Sequence, residues 1–130
     1  MAIGLLDGDA ARRFRDRVNA DGAFRLVSRD MTLTLAIQAD GVSRAIRFRD
    51  GAVLAIEAFV PMTEPVDVII KGPADFWRKL LSAVPPPRYQ NLYAALRAET
   101  CEVLGDGELY AAYFAAITRM IDIMRDVENA

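Results

Sequence analysis

The chain has 130 residues, 53% of them hydrophobic, and its 16 basic and 18 acidic residues give a net charge of −2. This length suits one domain over residues 1–130, which buries enough apolar surface to fold without a disulfide or a metal ion. The absence of histidine excludes Ser-His-Asp and Cys-His catalysis, and the single cysteine, Cys101, excludes an intrachain disulfide or a thiolate metal cluster. We expect no metal and no cofactor.

Charge and hydropathy exclude two further classes of partner. The chain has no long basic run, so binding to nucleic acid through phosphate neutralisation is not expected. No segment has about 18 consecutive apolar residues, so no integral membrane segment is expected. Residues 1–7 lack the basic region of a signal peptide, and we expect a cytoplasmic protein.

The first half of the chain predicts an N-terminal helix followed by a sheet over residues 23–71. Asp9 is a helix-capping residue, and the helix is expected to run over 9–20. From Met31 to Gln38 apolar and polar residues alternate, which is the pattern of a strand with one buried face.

Two Asp-Gly pairs, Asp40-Gly41 and Asp50-Gly51, divide the following residues into strands over 42–49 and 52–58. Asp-Gly between alternating segments is a strong hairpin signal, because both residues tolerate a positive φ. Two such turns in succession predict a three-stranded antiparallel meander.

The second half predicts five elements separated by proline and glycine. They are a strand over 66–71, helices over 74–83 and 89–98, a strand over 99–104 and a final helix over 108–127. The pair Gly72-Pro73 precedes the first of these helices, and the three prolines at 85–87 separate it from the second.

The final helix has an unusual composition, since every residue from Leu109 to Ile117 is apolar. A helix that is apolar all round is expected to be buried on more than one side. Together with the preceding elements it predicts an α+β fold: a mostly antiparallel five-stranded sheet with helices packed on one side.

Several short motifs carry a family resemblance, which covers the chain from about Ala23 to Met124. They are the strand and turn at 66–73, the helix end at 77–83, the prolines at 85–87, the strand end at 103–106 and the strand–turn step at 48–51. Their order and spacing resemble the sterol carrier protein type 2 family, and the match is closer to its bacterial stand-alone members. Ser82-Ala83 stands where the family pattern has a glycine step.

The resemblance implies a sterol/lipid-binding domain with an apolar cavity between the sheet and the C-terminal helices, in a helical half at 74–127. The expected ligand-binding residues are the large apolar and aromatic side chains of this half. They are Phe76, Trp77, Leu80, Leu81, Tyr89, Leu92, Tyr93, Tyr110, Tyr113, Phe114, Ile117, Met120, Ile121 and Met124. The same side chains would equally close an ordinary core, and this alternative stays open at this point.

Arg47 and Arg49 share one strand face, and their role has two interpretations. If that face meets the mouth of a cavity, they would contact an anionic head group. If it faces solvent, they belong to an ordinary polar face, in which Glu57 on the next strand is a partner across the sheet.

Three functions remain open at the level of the sequence. The first is binding or transport of a hydrophobic small molecule, such as a lipid, fatty acyl chain, sterol-like polycycle or isoprenoid. The second is an accessory protein that docks an enzyme of lipid or quinone metabolism, or another copy of itself as a homodimer. The third is a small isomerase or dehydratase for a polycyclic substrate, which requires a buried Asp or Glu beside a Tyr. No catalytic constellation is recognisable, so an enzyme is the less favoured class.

Overall fold

The computed structural model describes residues 5–58, 65–96 and 101–129. These residues form six helices and five strands. In chain order they are α1 (Asp9–Ala20), α2 (Gly22–Val27), β1 (Leu33–Ala39), β2 (Val42–Arg49), β3 (Ala52–Ala58), β4 (Val68–Lys71), α3 (Ala74–Leu80), α4 (Leu92–Leu96), β5 (Glu102–Gly105), α5 (Gly107–Ala112) and α6 (Phe114–Glu128).

The five strands form one sheet in the order β3-β2-β1-β4-β5. The β1–β4 pair is parallel, and the other three pairs are antiparallel. The predicted α+β class with a mostly antiparallel five-stranded sheet is therefore confirmed. The parallel pair places β4 inside the sheet although it follows the edge strand β3 in the chain.

Both Asp-Gly turns form as predicted and join β1, β2 and β3 into the meander. Gly51 has φ +82°, and Asp50 before it also has a positive φ of 50°. A side chain on Gly51 would lie 2.7 Å from the carbonyl oxygen of Ser28, so this turn needs glycine for space as well as for conformation.

The helices cover one face of the sheet. The alternation predicted for β1 places Met31, Leu33, Leu35 and Ile37 on this face, all at most 4% exposed. Their neighbours on β2 and β4 complete the same core cluster with α3 and α6. The opposite face carries a small separate cluster in which Val66 and Ile69 pack against Ala36 and Ala45.

The N-terminal helix has the predicted bounds, but its cap differs. Gly8 is the N-cap and makes no side-chain hydrogen bond, while Asp9 lies in the first turn. The next helix, α2, was not predicted, since extended structure was expected from residue 23. Asp21 explains it: its Oδ2 accepts a hydrogen bond of 2.8 Å from the backbone N–H of Phe24, which caps α2.

Three elements after Pro65 are shorter than predicted. The strand begins at Val68 rather than Val66, and the following helix ends at Leu80. In the next helix Asn91 Oδ1 accepts a 2.8 Å hydrogen bond from the N–H of Ala94, so the helix starts at Leu92 rather than at residue 89. Residues 97–100, which include the start of the strand expected over 99–104, lie outside the described residues.

The prediction of a single C-terminal helix over 108–127 is wrong, because the chain forms two helices there. Tyr113 interrupts them with φ −111° and ψ 23°. The expectation of burial on several sides is also wrong for the first turns, where Ala111, Ala112 and Ala115 are exposed. The small side chains of alanine tolerate this exposure at low cost. Among the described residues, no helix is both long and apolar enough to cross a membrane.

Candidate functional site

The predicted ligand-binding residues separate into two groups by their burial. Nine of them are at most 5% exposed and belong to the core between the sheet and the helices: Phe76, Trp77, Leu80, Leu81, Leu92, Ile117, Met120, Ile121 and Met124. Six of these have no exposure at all, so no water-sized space adjoins them. Trp77 is held further by its indole N–H, which donates a 2.9 Å hydrogen bond to the carbonyl oxygen of Gln38.

The other five are aromatic residues that retain contact with water: Tyr89, Tyr93, Tyr110, Tyr113 and Phe114. Three of them form a row across α4, α5 and α6, which we call the aromatic row. The ring of Phe114 lies 6.2 Å from that of Tyr93 and 5.5 Å from that of Tyr110, edge to face in both cases. Tyr93 is 57% exposed, so one end of the row reaches the surface.

The remaining two tyrosines have other partners among the described residues. Tyr89 packs edge to face on Phe76 at 6.1 Å, and the ammonium of Lys79 lies 5.4 Å above its ring. The hydroxyl of Tyr113 donates a 3.4 Å hydrogen bond to the carbonyl oxygen of Asp30.

Two buried hydroxyls near the aromatic row lack a partner within the described ranges. Tyr110 Oη and Thr118 Oγ1 are fully covered, and no described residue forms a hydrogen bond with either of them. Thr118 follows Phe114 by one turn of α6, and the ring of Tyr110 on α5 contacts that of Phe114, so both residues are neighbours of Phe114. Burial raises the pKa of Tyr110 to about 12. Buried hydroxyls normally find a partner, and those that do not are candidates for binding a ligand.

Cys101 lies close to Tyr110 and behaves as a packing residue. Burial, followed by the charge of Glu102, raises the pKa of its thiol to about 12. The thiolate is the nucleophilic form of cysteine, so a raised pKa makes this thiol unreactive near neutrality.

The two arginines of α6 have structural partners that sequence reasoning missed. Arg119 makes two hydrogen bonds to the carboxylate of Asp21. Arg125 donates to the carbonyl oxygen of Leu80 at 2.9 and 2.7 Å and to that of Gln90 at 3.2 Å. Free carbonyl groups at a helix end are a general signal for such an arginine, but only the tertiary structure shows which residue supplies it.

Arg47 and Arg49 lie apart from the aromatic row. Their strand positions place them on the sheet face opposite the helices, where Arg47 aligns with Thr34 and Ala55 on the neighbouring strands. Arg47 makes long contacts to Thr34 Oγ1 at 3.4 Å and to Glu57 at 3.5 Å. The structure therefore does not bring these arginines together with the apolar residues of the helical half.

Two polar concavities lie at other positions, near the turns of the sheet. One of about 370 Å³ is lined by residues of 38–41 and 71–73 together with Glu102. The other, of about 330 Å³, lies between the end of α2 and the β2–β3 turn. Within the described ranges, no group of three or more His, Cys, Asp or Glu residues is placed to hold a metal ion.

The third function, a small enzyme, requires a buried carboxylate beside a tyrosine. In the part of the chain that the structure describes, no carboxylate accepts a hydrogen bond from a tyrosine, and the titratable neighbour that affects Tyr110 is Cys101. Among the described residues, the aromatic row therefore lacks the carboxylate–tyrosine pair that this function requires.

The fold and this apolar helical layer define the class: the chain has the fold of sterol carrier protein 2. The crystal structure of sterol carrier protein 2 is similar over 94% of this chain and 98% of its own length, with a TM-score of 0.76 at 18% identity. A conserved protein of Thermus thermophilus, described as possibly a sterol carrier protein, matches 97% of this chain and 91% of its own, with a TM-score of 0.74 at 18% identity.

A third solved structure, the ubiquinone synthesis protein UbiJ-SCP2, covers 95% of each chain with a TM-score of 0.61 at 19% identity. Neither a protein-family model nor a curated protein matches the sequence. The family resemblance of the motifs is therefore confirmed for the fold.

Proposed function

We propose that this single domain binds a hydrophobic small molecule between α4 and the α5–α6 segment, as a lipid-binding or lipid-transfer protein. The observation that carries the proposal is a pair of buried hydroxyls, Tyr110 Oη and Thr118 Oγ1, on two neighbours of Phe114. Neither hydroxyl has a partner among the described residues. Binding sites for small molecules are mostly apolar surfaces with a few polar groups that orient the ligand.

The energetics favour a ligand at the exposed end of the aromatic row. A buried hydroxyl without a partner costs about 1–3 kcal/mol, and a ligand oxygen in hydrogen-bond range removes this cost. Apolar contact with the exposed ring of Tyr93 adds about 25 cal/mol for each Å² removed from water. The fully packed residues, such as Trp77 and Met120, would then form the floor of the site, and the row would be its wall and entrance.

The structural neighbours support this class of function. They include a protein named as a sterol carrier and a second described as possibly one, and each matches nearly the whole chain. The ligands considered from the sequence (fatty acyl chains, sterol-like polycycles and isoprenoids) all present the long apolar surface that this wall requires.

The test is native mass spectrometry of freshly purified protein, followed by identification of the lipids it releases. We expect a bound hydrophobic species in the wild-type protein and about tenfold less of it in Tyr93→Ser, because the exposed apolar contact is lost. Leu54→Ser is the matched control: Leu54 is 61% exposed and lies on β3. Protein that binds no hydrophobic compound when freshly purified or after incubation with lipids would contradict the proposal.

A second candidate is an accessory role in quinone synthesis, with docking to a partner enzyme or to another copy of the chain. The observation that favours it is the likeness to UbiJ-SCP2 over 95% of both chains. The same lipid identification tests it, since this role predicts prenylated aromatic rings among the released compounds. A sample that releases only acyl lipids and elutes as a monomer without partners would contradict it.

A further inference from the structure

The elements around the aromatic row are rich in acidic residues. α4, β5, α5 and α6 together contain five acidic residues: Glu102, Glu108, Asp122, Asp126 and Glu128. They contain two basic residues, Arg119 and Arg125. The charge on these elements therefore disfavours an anion.

Both of these arginines already have partners in the protein. The guanidinium of Arg119 is occupied by Asp21 through two hydrogen bonds of 2.9 and 2.8 Å. Arg125 donates to two backbone carbonyl groups and lies 3.4 Å from Asp122. The nearest lysine of α3, Lys79, forms an ion pair of 3.0 Å with Asp75.

The free polar atoms at the row are neutral hydroxyls. Tyr110 Oη and Thr118 Oγ1 each offer one O–H donor, and both are already removed from water. The thiol of Cys101 beside Tyr110 remains protonated, because burial raises its pKa to about 12. A carboxylate or phosphate buried between these elements would lose its hydration, and the cations described on them already have partners, which makes its burial unfavourable.

We propose that the ligand of the aromatic row carries an uncharged oxygen acceptor, such as a carbonyl, ester or hydroxyl group, and not a carboxylate or phosphate. This inference rests on the proposed function and specifies its ligand class. The two hydroxyls donate to the ligand oxygen, and the apolar part of the ligand covers Phe114 and Tyr93.

The test compares four probes that share a sixteen-carbon chain: hexadecane, hexadecanol, methyl hexadecanoate and hexadecanoate. Their binding to the full chain is measured at pH 8 by native mass spectrometry and by competition with a fluorescent lipid. We expect the ester and the alcohol to bind at least about tenfold more tightly than the carboxylate, because the carboxylate has to be desolvated without a partner.

The double variant Tyr110→Phe/Thr118→Val tests the role of the hydroxyls. It keeps the shape of the site and removes both donors, so methyl hexadecanoate is expected to bind about 5- to 30-fold more weakly. Hexadecane has no oxygen, and its affinity is expected to stay within about twofold. This probe therefore separates loss of hydrogen bonds from damage to the fold.

Each outcome decides between the two proposals. If hexadecane and the neutral probes bind but hexadecanoate binds most tightly, the neutral-ligand inference is overturned and the hydrophobic site stands. Arg88→Gln shows whether a carboxylate uses the exposed arginine beside Tyr89: loss of hexadecanoate binding in this variant also overturns the inference. If none of the four probes binds, the proposed function fails and the inference fails with it.

Discussion

Asp21 and Arg119 connect the start of α2 to α6 through a bidentate ion pair. Arg119 Nε lies 2.9 Å from Asp21 Oδ2 and Nη2 lies 2.8 Å from Oδ1, and the two residues are 98 positions apart in the chain. The same carboxylate caps α2 through the N–H of Phe24. One side chain thus starts α2 and attaches it to α6, the helix that carries Phe114 and Thr118.

Replacing Asp21 by Asn is expected to lower the free energy of unfolding by about 1–2 kcal/mol. The amide keeps the helix cap but loses the charge-assisted pair with Arg119, and Asp21 is only 19% exposed. Urea denaturation measures the change. Arg12→Gln is the control. Arg12 forms an ion pair of 3.1 Å with Asp9, but the two side chains are 67% and 82% exposed, so this pair contributes less than about 0.5 kcal/mol. Equal losses in the two variants would contradict a special role for Asp21.

The same pair predicts a dependence of stability on pH. The hydrogen bond from Arg119 lowers the pKa of Asp21 to about 2 from an ordinary value of 3.8. A lowered pKa stabilises the folded state above the unfolded-state value, and this contribution is lost as pH falls from about 4 towards 2. The difference in unfolding free energy between the wild type and Asp21→Asn should therefore be constant near neutrality and shrink over this range. A difference that stays constant down to about pH 2 would argue against the ion pair as its source.

Tyr110→Phe is expected to leave the free energy of unfolding unchanged or to raise it by up to about 1 kcal/mol. The variant removes a buried hydroxyl that has no partner in the described part of the chain, so no hydrogen bond described there is lost. Tyr113→Phe provides the comparison, since the hydroxyl of Tyr113 donates to the carbonyl oxygen of Asp30 and its loss should cost about 0.5 kcal/mol. Thermal and urea denaturation of both variants test the contrast. Marked destabilisation by Tyr110→Phe would mean that the phenol has a protein partner.

Gly105→Ala is expected to destabilise the protein by more than about 2 kcal/mol. Gly105 has φ +97°, and an added Cβ would lie 2.4 Å from the carbonyl oxygen of Asp67, next to the neighbouring strand β4. Gly107→Ala is the control: nothing lies within 4 Å of its Cβ position, and alanine favours the helix that starts there by about 0.5–1 kcal/mol. The two unfolding midpoints should shift in opposite directions. If Gly105→Ala unfolds like the wild type, β4 and β5 do not approach as closely as described.

The thiol of Cys101 is expected to react with iodoacetamide at pH 8 about a thousandfold more slowly than a free cysteine. Burial raises its pKa to about 12, so the reactive thiolate is rare. The reaction is followed by mass spectrometry, and the same protein in denaturant is the control, because unfolding restores an ordinary pKa. A native rate within tenfold of the denatured rate would contradict this burial.

The sequence predicted elements best where the signal is local. The turns at Asp40-Gly41 and Asp50-Gly51 and the alternation from Met31 to Ile37 depend on neighbouring residues only, and the structure has them as expected. α2 was not predicted, although Asp21 is a standard capping residue, because the sheet was expected to begin at residue 23. The break at Tyr113 has no sequence signal of its own, since apolar residues continue on both sides of it.

The candidate site shows the same division. Composition and periodicity identified the aromatic and apolar residues of the helical half, because their types and spacing are visible in the chain. They could not separate Trp77, which is fully buried, from Tyr93, which is more than half exposed. Exposure depends on which helix lies opposite, and that is set by contacts between distant residues.

The sequence by itself determined the fold class, the meander and the set of apolar residues in the helical half, since strand alternation, turn chemistry and helix periodicity are local properties. Only the tertiary structure decided that the buried hydroxyls of Tyr110 and Thr118 find no partner among the described residues, and that Arg119 pairs with Asp21. Hydrogen-bond satisfaction and charge pairing depend on residues brought together from distant parts of the chain. For that reason the polarity of the proposed ligand follows from the folded molecule and not from the order of its residues.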